Sequence, residues 1–237
     1  TLGIVVLMAF QIFGGQILQF DTGLIGTGAD FSLKFKTDAM GVLFALVASF
    51  LWVAAVAHAS VYMTHEENRT RFFIFLMVAE AATLGVFLVH DFFSLFIFFE
   101  IMGLSAYPLI IHTGTGQAKK AATKYLYMAV CGGLSLLAGI FLYVNYTGTV
   151  DFIPPEGSAF LASPLKIVPV ILLVAGFGVK AGLVPLHVWL PDAHPAAPSP
   201  ASALLSGVML KAGVYGIIRT VASFFYLTGA GKSSVGE

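Results

Sequence analysis

Between residues 177 and 219, two lysines lie inside consecutive apolar segments: Lys180 ahead of a run of prolines and Lys211 after it. An ammonium at the middle of a bilayer costs about 2.5–3.5 kcal/mol on insertion scales. Two of them in successive spans require partners, water or a function, and everything else in the chain must fold around that requirement. A bilayer is implied because the chain cannot cover a soluble surface. Only 10% of its 237 residues are charged, against about 25% in soluble domains, and the mean hydropathy is +0.93. The formal net charge is zero, and no Arg-rich helix offers a surface to nucleic acid. The lone Cys131 lies in an apolar run and has no second cysteine to bond.

Taken in order, the chain reads as an all-α, polytopic transmembrane helix bundle of about seven spans. Residues 1–20 lack the basic start and small-residue cleavage site of a signal peptide and are about long enough to cross a bilayer. Residues 21–37 are Gly-rich and then alternate Phe31, Leu33 and Phe35 with Ser32, Lys34 and Lys36. That period of two predicts a short hairpin on the membrane surface. Further spans are expected at 39–62, 72–89 and 92–112, then from near Lys119 to near Asn145, and at 166–190 and 201–228. A longer loop, 147–165, carries Pro154, Pro155 and Pro164. The slight excess of Lys and Arg around 63–71 and 113–120 puts those loops, and 191–200, in the cytoplasm.

Several ionisable groups fall within these spans. Glu100 lies about 12 Å into its helix and Lys180 about 21 Å into its own, and the two helices run the same way across the bilayer. At comparable depth a carboxylate and an ammonium lower each other's cost by pairing. A plain interhelical salt bridge is the bland alternative, but intramembrane ionisable groups mark functional sites by default. Gly176, Gly178 and Gly182 surround Lys180 and Pro185 follows it. This predicts a local helix break that frees carbonyls and admits water. Lys211 is expected at mid-membrane depth, where a lysine held out of water gives and takes protons at ambient pH. His187 is a candidate relay residue; His194 reads as an ordinary polar contact. Glu80, at mid-span, is equally a proton acceptor at the mouth of a path or a helix-packing acid. Lys124 and Arg219 lie near helix ends, where snorkelling to the interface is the plain reading. No metal-ligand spacing, phosphate loop or nucleophile triad appears in the sequence.

Three stretches, DFFSLFIFFEIMGLSAYPLI (91–110), KAATKYLYM (120–128) and GVKAGLVPLHVWLPDAHPAAPSPASALLSGVMLKAGVYGIIR (178–219), resemble the antiporter-like subunits. These are shared by respiratory complex I, multisubunit sodium/proton antiporters, and energy-converting hydrogenases with the related sulfur-reducing complexes. The wording around WLPDAHPAAPSPASALLSGVMLK is most similar to the hydrogenase-type branch. The resemblance puts Glu100 at the place of the key glutamate and Lys180 at that of the broken-helix lysine. Lys211 falls at the place of the connecting lysine, and Lys124 matches a further family position. It implies two units, 1–70 with N-terminal helices and the hairpin, and 71–237 as a first antiporter-like repeat. The second inverted repeat of the family is not found. The chain is thus either a piece of a longer protein or a short paralogue that borrows a second half-path from a neighbour.

The function this implies is translocation of protons or sodium by a multi-pass subunit of the cell membrane, within a redox-driven complex. No cofactor is expected in this chain; iron–sulfur clusters are expected in peripheral redox subunits, and other membrane subunits, including antiporter-like neighbours, as partners beside the lipid bilayer. Two rivals remain open from the residues alone: a sodium/proton antiporter subunit with no redox partner, and a shortened structural paralogue that bridges neighbours.

Overall fold

A computed structural model of the chain describes residues 1–16, 18–21, 32–153 and 167–227. The tip of the expected hairpin (22–31) and Pro154, Pro155 and Pro164 of the longer loop lie outside the described residues.

The described chain is a helix bundle with one small sheet. Its elements are α1 (Leu2–Phe13), β1 (Gln19–Asp21), β2 (Lys34–Lys36), α2 (Ala39–Tyr62), α3 (Arg69–Leu88), α4 (Phe92–Ile110), α5 (Gly116–Thr147), α6 (Ile167–Ala181), α7 (Leu190–Ala196), α8 (Ser199–Leu204) and α9 (Leu210–Leu227). Six stretches are long and apolar enough to cross a membrane: Ala39–His65, Arg69–Leu88, Phe92–Ile110, Gly116–Thr147, Ile167–Ala196 and Ser199–Phe224. The expected first span differs. α1 covers 12 residues, about 18 Å of rise. It stops because Gly15 takes φ +84°, a left-handed conformation that turns the chain out of the helix toward β1.

Short polar side chains set the helix starts. Asp38 Oδ1 accepts from the Gly41 N–H at 2.8 Å, Asp91 Oδ1 from Ser94 N–H at 2.7 Å, and Thr115 Oγ1 from Ala118 N–H at 3.1 Å. Each satisfies a backbone donor that the first turn leaves open. The apolar runs that follow are nearly uniform around the helix, as lipid demands, so small residues decide which faces meet. A Cβ on Gly176 of α6 would lie 2.7 Å from the Gly132 carbonyl of α5, and one on Gly213 of α9 would lie 2.5 Å from the Ala181 nitrogen. α6 is therefore clasped between α5 and α9, which places its C-terminal end in the interior.

The expected surface hairpin is present as β1 and β2, antiparallel, with Phe20 opposite Phe35. It is joined to the helical ends by further extended pairs, Phe35 with Val89 and Asp91 with Asp151. The Phe92 N–H donates to the Val150 carbonyl at 2.9 Å, and Lys34 Nζ lies 3.4 Å from Asp151 Oδ1. Three segments far apart in sequence thus form one cap over the α3–α4 end of the bundle.

Candidate functional site

α6 ends one residue after Lys180. Gly182 takes φ +74°, and the Leu183 N–H folds back onto the Gly178 carbonyl at 2.9 Å, the closing bond of a left-handed helix cap. The chain then passes Pro185, makes a tight turn over Leu186–Trp189 and re-enters helix as α7. The predicted break is present, but two of the carbonyls it would free already have partners. Gly178 accepts from Leu183, and Val179 accepts from the Trp189 indole Nε1–H at 2.8 Å.

Lys180 is 4% exposed. Its Nζ donates to the Tyr125 hydroxyl at 2.5 Å and lies 4.8 Å from the centre of the Tyr125 ring and 6.0 Å from that of Trp189. The Tyr125 hydroxyl in turn donates to the Gly103 carbonyl of α4 at 2.7 Å. Glu100, Leu104, Tyr125, Val130, Lys180 and Trp189 line a single cavity. Its free space, ≈ 20 Å³ to the centre of a water molecule, has room for about one water. Glu100 and Lys180 are therefore brought together, as expected, but not as a contact pair. The ion pairs within 4.0 Å among the described residues are Lys34–Asp151, Lys124–Asp192 and Arg219–Asp38. The Glu100 carboxylate rests instead against Gly133, where a Cβ would lie 2.6 Å from Oε1.

The other predicted residues are spread around the bundle. Lys211 is exposed on the outer face of α9, at the edge of an apolar groove with Leu43, Val47 and Val208. The sequence reading puts it at mid-membrane depth; the structure turns it away from the interior. A π-helical turn over Leu205–Met209 precedes it, and its Nζ donates to the Ser206 carbonyl at 2.6 Å. Lys124, read as snorkelling, pairs with Asp192 of α7 at 2.7 Å, tying the segment after the break to α5. His187 is half-buried on the tight turn, with Nδ1 enclosed and without a hydrogen bond among the described residues. His194 Nδ1 meets Ser202 Oγ at 3.0 Å. Glu80 is half-buried on α3 and does not line the Lys180 cavity. Arg219 does not snorkel: it turns inward and grips Asp38 at two points, 2.6 and 2.7 Å, with the Tyr215 hydroxyl 2.7 Å from its Nη2.

Tyr125, Trp189, Gly133, Asp192 and Asp38 are the residues that sequence reasoning left out. Tyr125 alone carried a usable signal. It lies about 13 Å into a span, and a tyrosine hydroxyl at that depth needs a partner.

Titratable groups of the cap respond to their surroundings. Burial raises the Asp91 carboxyl to about 6, against the pull of the Ser94 hydrogen bonds and Lys34. Asp38 also suffers burial, but the Arg219 hydrogen bond and charge outweigh it and hold the carboxyl below its usual range. His90 is lowered by burial, then by the charges of Lys36 and Arg219.

Six spans, a broken helix and a buried lysine facing a carboxylate across a small cavity define a multi-pass membrane protein with a charged intramembrane site. The family model described as NADH:quinone oxidoreductase/Mrp antiporter, TM matches residues 89–233. That is more than half the chain, and the chain belongs to this family. It is 32% identical over 199 residues to Hydrogenase-4 component B of Escherichia coli K12, covering 83% of this chain and 30% of that one. It is 29% identical over 221 residues to a Na(+)/H(+) antiporter subunit of Alkalihalophilus pseudofirmus, covering 92% and 44%. The structure of the Mrp complex from Dietzia sp. contains a chain of the same fold, with a TM-score of 0.79 at 23% identity, covering 99% of this chain and 43% of that one. The chain thus spans less than half the length of each of these relatives.

Proposed function

We propose that this chain is an ion-translocating subunit of a multisubunit, redox-driven complex in the cell membrane, with Glu100 and Lys180 at the working site. One observation carries the reading. A lysine 4% exposed lies at the break of a spanning helix and shares a cavity with a carboxylate on another helix. Such a charge is costly to keep and marks a path rather than a packing accident. When Lys180 approaches Glu100, the opposite charge favours the ammonium; when it withdraws, that support is lost and the proton is free to leave.

A proton suits this cavity better than sodium. Among the described residues, Glu100 and Tyr125 supply the side-chain oxygens that line it, and two carbonyls of the break that could ligate sodium, those of Gly178 and Val179, already accept hydrogen bonds. Lys211 is the next station. It faces outward, so the path continues into neighbouring protein, either a second repeat of the same kind or another antiporter-like subunit. His187, Lys124 and Glu80 are accessory candidates around this line. The driving reaction and its iron–sulfur clusters belong to peripheral redox subunits; the likeness to a hydrogenase component supports that half of the reading.

The likeness to an antiporter subunit over 92% of the chain favours a second reading, a sodium/proton antiporter without redox partners. The composition of the purified complex separates the two, since peripheral redox subunits belong to the first alone. The site is tested by Lys180→Ala in membrane vesicles. Transport should be abolished while the complex still assembles; normal transport would overturn the reading.

A further inference from the structure

We propose that Tyr125 is a positioning residue of this site: its hydroxyl is a latch that holds the Lys180 amino group away from Glu100 and so sets how readily the two charges meet. This rests on the reading of Glu100 and Lys180 as the working pair. The hydroxyl is held from two sides. It donates to the Gly103 carbonyl at 2.7 Å and accepts from Lys180 at 2.5 Å. It therefore links α4, α5 and α6 at one atom. The ring is fixed in turn: it meets Trp189 edge-on with centroids 5.0 Å apart, and Trp189 is anchored on the Val179 carbonyl in the last turn of α6. Glu100, by contrast, has no hydrogen bond or ion pair within bonding distance among the described residues, although it lines the same cavity. Lys180 thus has two partners within one small cavity, a neutral hydroxyl that it holds and a carboxylate that it does not. Lysine is flexible enough to move between them.

The test uses the intact complex in membrane vesicles. Tyr125→Phe keeps the ring, its packing and the cation–π contact but deletes the latch. Lys180 then has Glu100 as its sole charge-bearing or hydroxyl partner in the cavity. We expect transport to slow about tenfold and the midpoint of its pH profile to move by about half a unit or more, with the complex present in normal amount. Tyr143→Phe is the control for lost stability. It removes another buried hydroxyl, bonded to the Asp151 carbonyl at 2.8 Å away from this cavity, and its pH midpoint should match wild type. Should Tyr125→Phe fail to assemble, Tyr125→3-fluorotyrosine alters the acidity of the hydroxyl with almost no change in size, and the midpoint should again move. A wild-type rate and midpoint for Tyr125→Phe, or for 3-fluorotyrosine where that variant replaces it, would overturn the latch. If Lys180→Ala still abolishes transport in that case, the working pair survives and only the latch is lost; normal transport in Lys180→Ala removes both.

Discussion

Gly133 makes the room in which the Glu100 carboxylate lies: a Cβ at position 133 would be 2.6 Å from Oε1 and 2.8 Å from Oε2. The atoms it would strike are the far end of a flexible side chain, so α5 need not move. Gly133→Ala should therefore leave the bundle assembled and push the carboxylate aside. A misplacement of about 1 Å at a working group costs up to about 100-fold. Transport in vesicles should fall by about tenfold or more although no charge has been removed, and wild-type transport would take Glu100 out of the path.

Gly182 carries a different constraint. Its φ of +74° costs a residue with a Cβ about 1–2 kcal/mol, and that Cβ would lie 2.5 Å from Leu190 Cδ1. Gly182→Ala should lower the thermal unfolding midpoint of the detergent-purified complex and loosen the seat of Lys180. Gly182→Asn should recover part of the backbone cost, because asparagine tolerates this conformation, but not the clash. Equal stability of Ala and Gly at this position would show that the cap does not fix the break.

The Arg219–Asp38 bridge joins α9 to the first turn of α2 across 181 residues. Arg219 is largely buried, with 12% of its side chain exposed, and it also lies over the rings of Phe152 and Tyr215. Removing one partner of such a pair leaves an uncompensated charge. Arg219→Ala should cost about 2–4 kcal/mol of stability. Arg219→Lys, which keeps the charge and loses the fork, should fall between. Chemical unfolding of the three proteins measures the order.

Asp91 gives the cap a pH dependence with a definite sign. Its carboxyl is raised to about 6 in the folded chain and lies near 3.9 when unfolded. A group raised on folding contributes stability that is fully present below about pH 4 and is lost as pH rises through about 6. The difference is about 3 kcal/mol. Asp91→Asn keeps an oxygen for the Ser94 N–H and has no charge to bury. It should be more stable than wild type at pH 7, and the advantage should disappear below about pH 4. Parallel unfolding midpoints across that range would contradict the burial of an ionised Asp91.

The six long spans and the break after Lys180 were legible in the sequence because each leaves a local mark. An apolar run of 20 residues has few other fates, and Gly182 with Pro185 after a buried lysine announces an interrupted helix. Arg219 was misread because its partner, Asp38, is 181 residues away, and no local pattern records the meeting. Lys211 shows a different limit. Membrane helices are apolar on all sides, so the sequence gives its depth but not the side of α9 on which it projects. Gly133 and Trp189 were silent for the same reason. A glycine and an indole in a span read as packing, and only the fold shows that one makes space for a carboxylate and the other ties off the end of α6.

The π-helical turn over Leu205–Met209 acts as a phase shifter for everything after it. Such a turn uses one residue more than an α turn, so every residue after it is turned by about 100° from where an unbroken α-helix of the same sequence would put it. Lys211 and Arg219, eight residues and so about 80° apart around α9, both take their bearing on the bundle from that extra residue. Drawing the turn into regular α-helix with all its residues kept would misdirect both together, even with every side chain unchanged.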